Sequence, residues 1–104
     1  MDIENVTRVA ELNDQFRKSG SSFMITNGVL HLGNVGIIVD IVRKFNNFNP
    51  SNDPHGEHDF GAFSLNGEEI FWKIDYYDME LKYGISPLDP ACSRVLTVLL
   101  SSEY

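Results

Sequence analysis

"FGAFSLNGEEIFWKIDYYD", residues 60–78, is two strand-like runs on either side of Asn66-Gly67, and its reading decides the fold. Asparagine and glycine both tolerate positive φ, which suits a two-residue type I′ turn between right-twisted strands. Such a turn pairs Leu65 with Glu68, so paired numbers sum to 133 along a hairpin of about 59–65 against 68–77. One face then gathers Phe63, Ile70, Trp72 and Ile74, with Gly61 opposite Trp72 leaving space for the indole; this is the expected core face. The other face places His58 opposite Asp75, Phe60 opposite Lys73 and Ala62 opposite Phe71.

Outward from the hairpin, residues 3–18 read as a helix. Val6, Val9, Ala10, Asn13 and Phe16 keep helical spacing, Asp2 and Glu4 sit at the positive end, and Arg17 and Lys18 at the negative end. Residues 22–26, SFMIT, are a short strand followed by an Asn27-Gly28 turn signal. VGIIVDIVRKFNNF, residues 35–48, fits both a helix striped by Ile37, Ile38, Ile41, Val42 and Phe45 and a buried strand; its length and the closing Arg43-Lys44 pair favour the helix. NNFNPSNDP breaks any regular element. After Asp78 a loop with at most one helical turn leads to Asp89-Pro90, an N-cap and first-turn pair, and residues 90–102 are expected to be helical with Cys92, Val95, Leu96 and Leu99 as the buried stripe. The expected fold is α+β, one domain over 1–104: a small antiparallel sheet centred on the hairpin, packed by N-terminal, middle and C-terminal helices.

With 42% hydrophobic and 12% aromatic residues in 104, the chain can build one modest core. It has no apolar run of membrane-spanning length, and acids stand where a signal peptide carries bases, so a cytoplasmic location without membrane contact is expected. Cys92, the single cysteine, excludes an internal disulfide and a multi-thiolate zinc site, and its apolar neighbours suggest a buried structural thiol. The net charge of −7 is concentrated: Asp53, Glu57, Asp59, Glu68, Glu69, Asp75, Asp78 and Glu80 face only Lys73 between residues 53 and 80. A one-sided acidic field repels phosphate backbones and attracts a basic protein surface.

"NDPHGEHDFG", residues 52–61, supplies the sharpest chemical candidates. His55, Glu57, His58 and Asp59 are competent metal ligands, but in a strand His58 points away from the other three, and no i, i+4 histidine pair is present; no metal and no cofactor is expected. The register sets His58 beside Asp75, an acid/base pair that Lys73 and Tyr77 flank. The same pair also reads as a structural ion pair pinning the strands, and this reading is preferred. A magnesium nuclease pattern fails because position 71 is Phe where a carboxylate is required. Asn52 and Asp53 suit an Asx-turn, Pro54 fixes φ, Gly56 takes a strained turn position, and Glu57 is placed to accept backbone amides.

The blocks "NDPHGEHDFG", "FWKIDYYD", "DP" at 89–90 and "RVLTVLLSSEY", with the opening "VAELNDQFRK", together resemble a family of small bacterial proteins of unknown function found in chromosomes, plasmids and phages. "KYGISPLDP" departs from the acidic Asp-Pro repeat more usual at that place. The resemblance implies relatives and no activity. The expected function is a non-enzymatic acidic binding module whose Glu68, Glu69, Asp78, Glu80 and Tyr77 meet a basic, nucleic-acid-binding protein, in the manner of a mobile-element inhibitor of a host defence protein (anti-CRISPR or anti-restriction). The alternative is a small hydrolase or metal-dependent enzyme using the His/Glu/Asp cluster at 53–59 with Asp75. The chain is expected to be a monomer, or a homodimer joined by Phe60, Phe71 and Tyr77.

Overall fold

In the computed structural model, which describes residues 3–20 and 23–104, the elements run α1 (Ile3–Ser19), β1 (Phe23–Ile25), α2 (Asn27–Leu32), α3 (Val35–Lys44), β2 (Phe60–Leu65), β3 (Glu68–Tyr77) and β4 (Ser93–Leu100). A 3₁₀ turn, Ser101–Glu103, closes the chain. Asp2, read as a helix-end acid, and Ser22, read as the first strand residue, lie outside the described residues.

The hairpin forms in the expected register, Leu65 with Glu68 through Phe60 with Lys73, around Asn66 and Gly67 at φ +52° and +84°. Trp72 is wholly buried, and a Cβ built on Gly61 would collide with its Nε1. The fold is α+β, with a four-stranded sheet in the order β1-β4-β3-β2. It is mostly antiparallel, with one parallel pair, Phe23–Ile25 alongside Leu96–Val98. The N-terminal and middle helices form as expected, and the middle segment resolves as helix α3.

The C-terminal segment corrects the expected helix: Ser93–Leu100 is a strand, β4, hydrogen-bonded on both sides. A central strand is apolar on both faces, so SRVLTVLL carries a continuous apolar run that can be threaded by a helical stripe as readily as by alternation. Leu96 and Val98 point to the helices and Leu99 to the opposite face. Asp89-Pro90 opens a turn, with the Asp89 carboxylate accepting the Ala91 amide (2.8 Å) and its carbonyl the Cys92 amide (2.9 Å). Cys92 is half-buried, its thiol pKa pushed up by burial.

A second correction concerns Asn27-Gly28, which begins α2, because Thr26 in extended conformation caps it by accepting the Val29 amide (3.4 Å). Glu103 completes that junction. Its carboxylate accepts the Thr26 hydroxyl (2.7 Å) and the amides of Leu100 (2.8 Å) and Gly28 (3.2 Å), and the hydroxyl bond foremost holds its pKa below the ordinary value.

All three helices cover one face of the sheet. Val29, Ile38, Val42 and Phe45 pack there against Ile70, Trp72, Ile74, Leu96 and Val98, each large side chain contributing about 1.5–3 kcal/mol by leaving water. The other face bears Phe60, Phe71 and Tyr104 in edge-on contact, beside Lys73 and Asp75, and has no helix over it among the described residues.

Candidate functional site

Of the functional candidates, Asp53, Glu57, His58 and Asp59 gather where α1 meets the start of the hairpin, and α1 brings to them Asp14, which the sequence did not single out, with Asn13 and Arg17, read there only as helix residues. Asn13, Asp14 and Arg17 fall within about one helical turn and face the loop that precedes β2. Arg17 is only 1% exposed. Its Nη1 donates to the carbonyls of Val42 (3.2 Å), Arg43 (3.1 Å) and Phe45 (2.9 Å), the open C-terminal end of α3. Nη2 donates to Asp14 Oδ1 (2.9 Å), and the guanidinium lies 5.1 Å from the Trp72 ring centre and 5.5 Å from that of Phe48.

Asp14 then holds His58, whose Nδ1 is 3.0 and 3.1 Å from its two oxygens. The imidazole stacks on Phe48 at 3.9 Å with a 5° interplanar angle, and its Nε2 faces Asp53 Oδ2 at 3.7 Å. His58 therefore does not sit beside Asp75. Its φ of +56° carries the chain out of the ladder, held by its own amide donating to Asp53 Oδ1 (3.3 Å), so the last rung is Ile74 N–H to Asp59 C=O (2.8 Å). Asp75 projects from the opposite face and takes Lys73 Nζ at 2.7 Å, which foremost raises the Lys73 pKa. The expected acid/base pair is thus split between the two faces of the sheet.

A second network lies alongside. Asn13 is fully buried and satisfied, its Nδ2 donating to Glu57 C=O and Tyr76 Oη (both 2.9 Å) and its Oδ1 accepting from Arg94 Nε (2.7 Å). The Tyr76 hydroxyl stands 3.5 Å from both Glu57 Oε2 and Asp59 Oδ2. Burial raises the pKa of Tyr76 far above the ordinary phenol value. Glu57 and Asp59 are also raised, first by burial and then by neighbouring carboxylates: Asp59 and Asp53 act on Glu57, and Asp53 acts on Asp59.

The sign of that shift gives an expected result. Between the ordinary carboxyl range and the raised folded values the native state binds more protons than the unfolded chain, so stability falls as pH rises through that window and the penalty is complete above it. Glu57→Gln and Asp59→Asn should therefore each raise the urea midpoint at neutral pH and flatten the acid-side profile. A lower midpoint for both at pH 7 would show that the carboxylates stabilise the loop in their charged form.

His55 is exposed. Among the described residues no group of three or more histidine, cysteine or acidic side chains is placed to hold a metal ion. Three open clefts lie elsewhere: between α1 and the start of β4 (about 480 Å³, with Phe16, Cys92 and Arg94), along the outer side of α1, and beside Met79 and Pro90. None of the three contains His55, Glu57, His58 or Asp75. The loop itself follows the expected turn chemistry: Gly56 has φ +69°, Asn52 Oδ1 accepts the Asn49 amide (2.9 Å) and Asp53 Oδ1 the His58 amide (3.3 Å), and Asn49, not singled out by the sequence, adds an Asx-turn by accepting the amides of Ser51 (2.9 Å) and Asn52 (3.1 Å). Glu57 reaches Tyr76 with its side chain and Asn13 with its carbonyl, in place of the expected amide contacts.

The expected partner-binding residues also divide. Glu68 and Glu69 are exposed beside the hairpin turn, whereas Tyr77, Asp78 and Glu80 lie at the other end of β3, about 30 Å away at 3.3 Å per residue. Asp78 and Glu80 belong to a loop with its own order. A Tyr77–Gly84 bridge closes it, the Asp78 amide donates to Tyr83 C=O (2.8 Å), and the Asp78 carboxylate accepts the Lys82 amide (2.9 Å).

Residues 25–103 match the family described as "Protein of unknown function (DUF3768)". The chain belongs to the DUF3768 family. The matched span contains the loop 52–61, the hairpin and β4, while α1, with Asn13, Asp14 and Arg17, precedes it. No curated protein and no solved structure matches this DUF3768 chain. No helix among its described residues is long and apolar enough to cross a membrane.

Proposed function

We propose that this chain is a non-enzymatic binding module that docks a basic protein surface through the loop Asp78–Tyr83 at the acidic end of the sheet. The observation that carries the reading is the loop's composition on a fixed backbone. Met79, Leu81 and Tyr83 are 78%, 55% and 72% exposed, alternating with Asp78, Glu80 and Lys82, and Leu81 is held at φ +60°. Large apolar side chains presented on an ordered loop lose little freedom on binding, and an acidic surround steers a basic partner toward them. The finer reading is an inhibitor that occupies the nucleic-acid groove of a host defence protein. The net charge of −7 supports it, because a groove built for phosphate is basic. The hydrolase reading has less to draw on, since both ring nitrogens of His58 already face carboxylates and its ring is stacked on Phe48.

Affinity capture from a bacterial lysate tests the proposal. Asp78→Lys with Glu80→Lys should release the captured protein at lower salt, and Tyr83→Ala should weaken binding about thirtyfold, the scale of a 2 kcal/mol hot spot. Glu68→Lys with Glu69→Lys, at the far end, should change capture much less. Equal capture by all these variants would sink the loop as the docking surface.

A further inference from the structure

Among the described residues the outer edge of β2 is unpaired, and its chemistry is unusual for an open edge. β2 bonds β3 on one side only. Because Ile74 N–H donates to Asp59 C=O, the pairs 61:72, 63:70 and 65:68 are the bonded rungs, and the N–H and C=O groups of Phe60, Ala62 and Ser64 point outward. Open edges are ordinarily blunted by lysine, proline, a bulge or shortness. β1, the other edge, has three residues. β2 is FGAFSL, six residues with no charge and no proline, in unbroken register.

We propose that β2 is the pairing edge of a two-fold homodimer, with Ala62 of one copy directly opposite Ala62 of the second. The occupant follows from charge and shape. A chain of net charge −7 repels its own kind except along a neutral line, and β2 is such a line, whereas a basic partner finds no carboxylate on it. Antiparallel pairing about Ala62 sets Phe60 opposite Ser64 and Phe63 opposite Gly61 of the other copy, so each large side chain meets a small one and the two alanines meet on the axis. The outward groups then bond reciprocally at 60:64, 62:62 and 64:60, and two four-stranded sheets become one continuous sheet. Edge pairing buries less than a standard interface, so a dissociation constant on the order of tens of micromolar is expected. The proposal is independent of the partner assigned to the Asp78–Tyr83 loop.

Sedimentation velocity on the full chain, from about 10 µM to about 1 mM, should show a monomer passing to a dimer with rising concentration. Ser64→Lys should raise the dissociation constant at least tenfold, as should Ala62→Pro, whose missing amide faces outward and so spares the internal ladder. In a Cys92→Ser background, Ala62→Cys should oxidise to a disulfide-linked dimer, because bonded antiparallel partners lie about 5.5 Å apart, within disulfide reach. Ser64→Cys, whose counterpart on the other copy is Phe60, should cross-link at most a tenth as fast. A wild-type chain monomeric throughout that range would overturn the proposal. So would a dimer untouched by Ser64→Lys, or equal cross-linking of the two cysteine variants.

Discussion

Arg17→Ala is expected to lower folding stability by about 3–5 kcal/mol, the scale of breaking a buried charge pair, and so to reduce the melting temperature by more than about 12 °C. The guanidinium is the donor for three carbonyls at the end of α3, the partner of Asp14, and a flat filler between Phe48 and Trp72. Its removal leaves those carbonyls short of a donor, frees the Asp14 side that holds His58, and opens a cavity under the loop 45–59. Arg17→Lys keeps the charge but cannot fork between α3 and Asp14, so it should recover only a minor part of the loss. Urea denaturation of the three proteins measures this directly. A cost below about 1 kcal/mol for the alanine variant would mean that the contacts are those of an ordinary surface pair.

Gly61→Ala should destabilise by about 1–3 kcal/mol through overpacking, a large effect for one methyl group on an edge strand. The cause is the indole, whose Nε1 edge occupies the space that a Cβ needs. Trp72→Phe removes that edge, so Gly61→Ala should cost much less in the Trp72→Phe background, and the two changes should couple by at least about 0.5 kcal/mol in a double-mutant cycle. Additive costs would mean that the indole is not what the added methyl group meets.

How far residues betrayed the structure depended on whether their partners were local. The hairpin was legible because Asn66-Gly67 sets its register within two residues, and Gly61 opposite Trp72 then followed by counting. α3 was legible from Ile38, Val42 and Phe45 together with its basic end. β4 was not, because a strand flanked on both sides is apolar on both faces and loses the alternation that distinguishes it from a helix. His58 was misplaced by extending the hairpin one pair beyond the point where Asp53 captures its amide. Arg17 resembled a helix-end charge in solvent, and only the position of α3 makes it a buried cap. Asn13 gave the one readable hint on α1, a polar residue within an apolar stripe, and Arg94 gave a similar one as the lone base in RVLTVLL. The loop 78–84 alternates charged and apolar residues as a strand would, yet its order comes from backbone bonds that close it on itself, which the alternation does not reveal.

The sheet order also constrains when the protein can fold during synthesis. β4 lies between β1 and β3, yet it follows both in the chain, and Phe23 waits for Leu96. A ribosome that has released only the first eighty-odd residues has made a hairpin with two open edges and a β1 with nothing to pair with. One of those edges, on β3, is meant for β4 and is studded with Phe71, Trp72 and Ile74. Such a nascent hairpin would meet other copies on the same messenger before its own last strand arrives. The interval between the emergence of β3 and the arrival of β4 therefore sets how long the open β3 edge is exposed to mispairing.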